Sequence, residues 1–322
     1  MIEYTVLLSA PYIIPSLERF KPLFDKYGID LIVPEVHERL KEEELLKYAG
    51  QFDGAICGDD QYTARVLEVC APRLKVISKW GTGIDSIDSD AAARFGVKIY
   101  RTLNAFTLPV ADTVLACILA FARRLPWMDK AVKAGEWEKL PGRSLNECTL
   151  GVVGVGIIGK AVFRRARAFG MKLLGNDIIE IDHVFLAENG VQMTSLDSLL
   201  SNSDFVSLNC DLNPTSFHLV NARTLNLMRP TAVLINTARG PIVDEPALVT
   251  ALQAGTIAGA ALDVFEVEPL PAESPLREMD DVLLAPHNAN SSPVAWERVN
   301  WNTIHNLLSG LGIPDTNLLT LQ

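Results

Sequence analysis

Short apolar runs alternate with longer amphipathic stretches along nearly the whole chain, the pattern of parallel strands covered by helices. In the first hundred residues this places strands at 5–9, 30–33, 54–57, 74–78 and 97–100, with polar helices at 15–26 and 41–48 between them. After the turn-forming stretch Pro141-Gly142-Arg143-Ser144, a second set is expected at 150–153, 172–176, 205–208, 232–236, 257–264 and 282–285. Residues 110–122 read as a buried helix, and 293–309 as a helix with apolar faces that packs back on the first set of strands. The fold class is α/β, with two open sheets.

A chain of 322 residues exceeds what one compact core usually supports, so two domains are expected. With 48% hydrophobic and 21% charged residues, the balance is that of an ordinary globular protein. The formal net charge of -10 argues against nucleic acid as a partner, because holding a polyanion requires clustered cations. Cys57, Cys70, Cys117, Cys148 and Cys210 stand singly, which fits a reducing compartment such as the cytoplasm and offers no zinc-site spacing. The 110–122 helix contains Asp112 and is too short to span a bilayer. The opening MIEYTVLLSA carries an acid where a secretory signal carries positive charge, so neither membrane insertion nor export is expected.

The first candidate for chemistry is a buried strand running into Gly154-Val155-Gly156-Ile157-Ile158-Gly159, followed by a helix that ends near Phe169 with Gly170 as its terminator. Glycines at these three positions allow a tight turn and close approach of the backbone to a pyrophosphate, which the helix N-terminus favours. Asp177 ends the next strand, where an acid accepts ribose hydroxyls, and no Lys or Arg lies between Lys172 and Arg223 to meet a 2′-phosphate. NAD is therefore expected rather than NADP.

Three later strand candidates each deliver a reactive side chain just past their carboxyl ends: Arg239, Glu268 and His287. Ligands of doubly wound sheets bind beyond those ends. Oxidising an alcohol needs a base for the hydroxyl proton, and imidazole titrates in the useful range, which makes His287 the candidate acid/base. Glu268 can orient that ring and favour its protonated form, while Arg239 can hold a substrate carboxylate and polarise a carbonyl. His37, His183, His218 and His305 lie in polar helices or loops and read as surface or packing residues; no GxSxG or HExxH pattern supports a hydrolase.

Together these residues resemble the D-2-hydroxyacid dehydrogenases, in particular the branch of phosphoglycerate dehydrogenase and the hydroxypyruvate and glyoxylate reductases. The resemblance covers nearly the whole chain and runs through Gly81-Thr82-Gly83-Ile84-Asp85-Ser86-Ile87-Asp88, the glycine turn, Leu234-Ile235-Asn236-Thr237-Ala238-Arg239-Gly240, Ala261-Leu262-Asp263-Val264-Phe265-Glu266-Val267-Glu268-Pro269 and Pro286-His287. It implies two Rossmann-like doubly wound domains, with an NAD-binding domain at 104–290 inserted in a discontinuous, flavodoxin-like substrate domain at 1–103 and 291–322. It also implies that Arg239, Glu268 and His287 form the catalytic triad, that Asp263 binds the nicotinamide carboxamide, and that the chain is a homodimer. By the same resemblance, backbone amides around Trp80, Gly81, Thr82 and Gly83 hold the substrate carboxylate. Thr82, Ile157, Ile158, Cys210, Thr237, Ala238, Asn288, Ala289 and Asn290 line the cofactor.

The chain departs from the family pattern at several points. Asp211 stands where proline is common, Ile157 replaces a frequent arginine, and Asn288-Ala289-Asn290 replaces smaller or apolar residues. Where the phosphoglycerate branch often has an arginine for the phosphate, this chain has Cys57-Gly58-Asp59-Asp60, two acids that repel a phosphorylated substrate. Lys79 is either a compensating charge or a solvated surface lysine. The expectation is an NAD-dependent enzyme for a small unphosphorylated D-2-hydroxy or 2-oxo acid, with 3-phosphoglycerate as the alternative substrate. A corepressor-like binding protein of the C-terminal-binding-protein type ranks lower, and the formate dehydrogenases, which carry an amide in place of Glu268, lower still.

Overall fold

In the computed structural model, residues 3–71 and 73–314 are described; the ends of the substrate domain expected at 1–103 and 291–322 lie partly outside them. The chain divides into two compact units, one made of the described residues up to Phe106 and from Ser292 onward, the other of Thr107–Ser291.

The first unit holds strands β1 (Tyr4–Leu8), β2 (Ile29–Ile32), β3 (Gly54–Cys57), β4 (Val76–Lys79) and β5 (Lys98–Arg101). They pair in the order β2-β1-β3-β4-β5, all parallel, the flavodoxin-like arrangement. Helices α1 (Leu17–Lys26), α2 (Glu42–Leu46), α3 (Ala64–Cys70) and α4 (Ser89–Phe95) connect them. The helix expected at 15–26 begins as a 3-10 turn, Ile14–Ser16, and the one expected at 41–48 is shorter because Gly50, at φ +70°, turns the chain soon after it.

The second unit opens with α5 (Thr107–Arg123) and α6 (Leu125–Lys133). Its strands are β6 (Thr149–Val153), β7 (Lys172–Asn176), β8 (Val191–Met193), β9 (Phe205–Leu208), β10 (Val233–Asn236), β11 (Gly259–Leu262) and β12 (Val282–Leu284). Helices α7 (Ile157–Ala168), α8 (His183–Asn189), α9 (Leu196–Asn202), α10 (Ala222–Leu225) and α11 (Glu245–Gln253) lie between them. The sheet order β12-β11-β10-β9-β6-β7-β8 reverses between β6 and β9, and that switch point is where open α/β sheets take their ligands. Two cores sandwich the sheet. Phe205, Val233 and Ile235 pack with α5 and α7 on one side, while Val206, Leu208 and Leu234 pack with α9 and α11 on the other, the two-residue alternation of a sheet buried on both faces.

Strand β8 and helix α6 lie outside the elements that the sequence pattern places. Strand β8 is too short to show a period, and α6 restarts after Arg124 enters the left-handed region at φ +56°, with Pro126 in its first turn.

Helix α12 (Pro293–Leu311) returns to the first unit and packs on β3, β4 and β5. Gly310 sets this approach: a Cβ there would lie 2.7 Å from Val76 Cβ and closer still to its Cγ2. Gly310→Ala should therefore lower stability by about 1–3 kcal/mol through overpacking, against the gain of ~1 kcal/mol that helix propensity alone would give. Urea unfolding distinguishes the two by sign.

Candidate active site

The glycine turn is shaped by what touches it. Gly154, at φ +90°, lies so close to the backbone of Cys210 that a Cβ would strike the Cys210 amide, and a Cβ on Gly159 would strike the Gly154 carbonyl. Gly156 differs: among the described residues, nothing beyond its own chain neighbours lies within 4 Å of where its Cβ would be. Two glycines thus close the turn and the helix onto the sheet, while the middle one leaves backbone open to an incoming group. Helix α7 begins there without a side-chain cap, so its first amides remain available to an anion. Asp177 accepts from the Val155 amide at 2.6 Å and from the Ile179 amide at 3.1 Å, and so holds the turn that a pyrophosphate would meet. Two polar atoms at strand ends, Asn209 Oδ1 and Thr237 Oγ1, are buried with no hydrogen-bond partner among the described residues. Cys210 is not a thiolate at neutral pH, since burial pushes it up to about 11. An open Gly156, uncapped amides and orphaned side-chain oxygens fit a dinucleotide.

The reactive side chains follow β10, β11 and β12. Arg239 leaves β10 through a turn clamped by Asn236, whose Oδ1 accepts from the Ala238 amide at 3.1 Å and whose Nδ2 donates to the Arg239 carbonyl at 2.9 Å. A Cβ on the next residue, Gly240, would collide with the Phe265 carbonyl, so this glycine lets the Arg239 turn lie against the segment leading to Glu268. Glu268 is held at both oxygens: Oε1 accepts from the Phe265 amide at 3.0 Å, and Oε2 lies 3.0 Å from His287 Nδ1. Glu266, two residues earlier, does different work. It lies 2.7 Å from Nε2 of His218, so this histidine, expected as a surface or packing residue, has a carboxylate partner.

Asp263 governs this region. Its carbonyl accepts from the His287 amide at 2.7 Å, and its two carboxylate oxygens accept from Asn288 and Ala289, each at 2.8 Å. Three consecutive amides are therefore fixed by one residue at the end of β11. His287 itself sits at φ +52°, an unfavourable conformation for a residue with a Cβ, and these bonds hold it there. Burial pushes the Asp263 carboxyl up, and the two amides oppose that shift. Sequence reasoning gave Asp263 a cofactor contact and Asn236 no role; the structure shows each bracing the backbone under a reactive side chain.

In the first unit, the candidate carboxylate-binding segment follows β4. Gly81 adopts φ +124°, and its carbonyl accepts from the Thr102 amide at 2.8 Å. Thr82 Oγ1 donates to the Thr102 carbonyl at 2.8 Å. The Trp80 indole donates to Asn300 Oδ1 at 2.7 Å and stacks on Tyr12 at 4.7 Å between centroids. Lys79 is not a solvated lysine: it is 3% exposed and lies 3.0 Å from Asp59.

A phosphate-cradling turn and an imidazole-carboxylate pair at the carboxyl ends of one parallel sheet are the equipment of a dinucleotide-dependent dehydrogenase. The family model for "D-isomer specific 2-hydroxyacid dehydrogenase, NAD binding domain" matches residues 115–289. Over 276 residues the chain is 42% identical to a glyoxylate reductase of Thermofilum pendens, covering 84% of this chain and 81% of that one. A D-3-phosphoglycerate dehydrogenase of Synechocystis is 38% identical, over 84% of this chain and 50% of its own. Among solved structures, the D-lactate dehydrogenase of Aquifex aeolicus complexed with NAD and lactic acid superposes with a TM-score of 0.84 at 28% identity, covering 96% of each chain. The chain belongs to the D-isomer specific 2-hydroxyacid dehydrogenase family, and is an NAD-dependent enzyme of that class. Among the described residues, no helix is long and apolar enough to cross a membrane.

Asp263→Ala leaves the Asn288 and Ala289 amides without acceptors and loosens the loop just past His287, while the backbone bond from the His287 amide to the carbonyl of residue 263 remains. It should lower stability by roughly 2–4 kcal/mol and kcat by about 100-fold or more. Urea unfolding and steady-state kinetics measure both; a variant with unchanged kcat would show that these bonds do not position His287.

Proposed function

We propose that this chain interconverts a short, unphosphorylated D-2-hydroxy acid and its 2-oxo acid, with His287 as acid/base, Glu268 tuning it and Arg239 binding substrate. The observation that carries this reading is the His287-Glu268 pair, with Glu268 anchored on the Phe265 amide and His287 fixed by Asp263. Since Nδ1 faces Glu268, proton exchange with the substrate hydroxyl falls to Nε2. In oxidation Nε2 takes that proton as C2 loses a hydride; in reduction it returns one to the carbonyl oxygen. Bound NAD supplies the hydride acceptor, and its reduced form the donor. The Glu268 carboxylate stabilises the imidazolium formed in the oxidative direction.

In the second unit, Arg239 is the residue to meet a substrate carboxylate and polarise the carbonyl oxygen; in the first, the amides of Trp80 to Gly83 are the carboxylate-binding candidates. Gly154, Gly156 and Gly159 with Ile157 and Ile158 hold the pyrophosphate, and Asp177 the ribose. Thr82, Cys210, Thr237, Ala238 and residues 288–290 complete the cofactor contacts, with Asp263 at the nicotinamide amide.

The relative named D-3-phosphoglycerate dehydrogenase keeps a phosphorylated substrate as the second reading. The acids Asp59 and Asp60 favour the first. Five free cysteines fit a cytoplasmic enzyme. We also expect a homodimer, because α5 and α6 expose Leu108, Leu125 and Val132, and Trp137 just beyond is 85% exposed. Sedimentation should show twice the chain mass, and a monomer at micromolar concentration would refute this.

Glyoxylate, hydroxypyruvate and its 3-phosphate, offered with NADH, test the substrate reading; turnover of the phosphorylated acid alone would overturn it. His287→Gln should lower kcat by about 100- to 10000-fold. Glu268→Gln removes the charge that favours imidazolium, so the alkaline fall of the reductive rate should move to lower pH. A profile shifted the other way would contradict the role of Glu268.

A further inference from the structure

The carboxyl ends of β3 and β4 carry a charge cluster that the triad does not use. Cys57 and Lys79 are register partners, so the loop after β3 and the last residue of β4 lie side by side. The Lys79 ammonium lies 3.0 Å from Asp59 Oδ1 and 3.4 Å from the Trp80 carbonyl, and would be 3.8 Å from a Cβ on Gly81. It is therefore against the backbone of the segment proposed to hold the substrate carboxylate, and its side chain is only 4% exposed.

Asp60 is fully buried. Its Oδ1 accepts from the Leu40 amide at 2.6 Å, and its Oδ2 accepts from the Ser9 hydroxyl. Burial pushes it up to about 6, and it lies within electrostatic reach of both Lys79 and Asp59. One ammonium thus faces two carboxyl groups. The Asp59 side chain is the more accessible member, at 29% against 4% for Lys79.

We infer that Asp59 is a specificity-determining residue: held against the Lys79 ammonium, it cancels the charge that would otherwise attract a second anionic group, and so selects 2-oxo acids whose only anion is the carboxylate. The inference rests on the proposed activity toward unphosphorylated acids and names the residue that enforces it. A buried ammonium left without its counter-ion attracts the next available anion, and a phosphate carries nearly two charges at neutral pH. Asp59 acts as the internal counter-ion, which raises discrimination by removing an attraction, without a new contact.

The test compares kcat/KM for hydroxypyruvate and for its 3-phosphate, with NADH, in the wild type and in Asp59→Asn, Asp59→Ser and Asp59→Glu. The two neutral variants should raise the ratio of phosphorylated to unphosphorylated kcat/KM by about tenfold or more, as expected for removing a like charge near the anion. Asp59→Glu should keep the wild-type ratio, and added salt should shrink the difference between wild type and the neutral variants. An unchanged ratio in Asp59→Asn and Asp59→Ser overturns the inference. So does loss of turnover of both acids in both variants, which would assign Asp59 to holding the fold. The outcomes separate the two readings: a wild type that prefers the phosphorylated acid defeats the proposed substrate class, whereas a wild type that prefers the unphosphorylated acid, with variants that keep the preference, defeats only the role of Asp59.

Discussion

The second unit depends on a single residue being able to fasten a loop. Asp263 stands at the end of β11, takes the His287 amide on its carbonyl and takes the next two amides on its carboxylate. A loop bound by one of these bonds would still pivot; three donors in succession leave it one conformation, and that conformation includes a histidine in the left-handed region. The local strain is offset by charge-assisted hydrogen bonds, which are about twice as strong as neutral ones. The imidazole then meets Glu268 at 3.0 Å, with only backbone amides of its sequence neighbours engaged.

The glycines extend the same logic. Gly240 and Gly154 are the residues whose Cβ atoms would strike the backbone of a neighbouring strand-end loop, Phe265 in one case and Cys210 in the other. Each brings two loops to van der Waals distance at the carboxyl edge of the sheet. Side chains borne on different strands can then act on one small molecule, the condition for converting a collision into a positioned reaction. Gly156 is open for the opposite reason, since what must approach it is not part of the chain.

Much of this could be read from the residues alone, because the signals are local. Alternating burial in β9 and β10 follows directly from their apolar runs, and the glycine turn sits between β6 and α7 as its spacing requires. The strand expected at 257–264 shortens to Gly259–Leu262 because the chain turns at Asp263 to serve the histidine loop, a demand that no periodicity carries. The roles of Asn236 and Asp263 were hidden for the same reason: their partners are backbone amides and carbonyls, which leave no trace in side-chain identity. The residues alone place His218 at the surface or in packing and do not reveal its partner Glu266, because the two lie 48 positions apart in the sequence. Lys79 was undecided between a solvated charge and a useful one, since burial is a property of the sheet and not of the residue.

That last case ties charge placement to folding in the first unit. A lysine at 3% exposure pays a desolvation penalty of several kcal/mol unless a counter-ion accompanies it, so the strand end that places an ammonium beside Trp80 and Gly81 also requires an acid nearby. Asp59 meets that need, and Asp60, tied to Leu40 and Ser9, adds negative charge behind it. Replacing the acid by a neutral residue would leave the ammonium seeking a new partner, and replacing the lysine would strand two carboxylates. Stability at this edge therefore rests on the same three residues that, under the proposed reading, would set charge preference. A related enzyme on this fold that accepts a phosphorylated acid must solve both problems together, with a cation that is solvated or paired elsewhere.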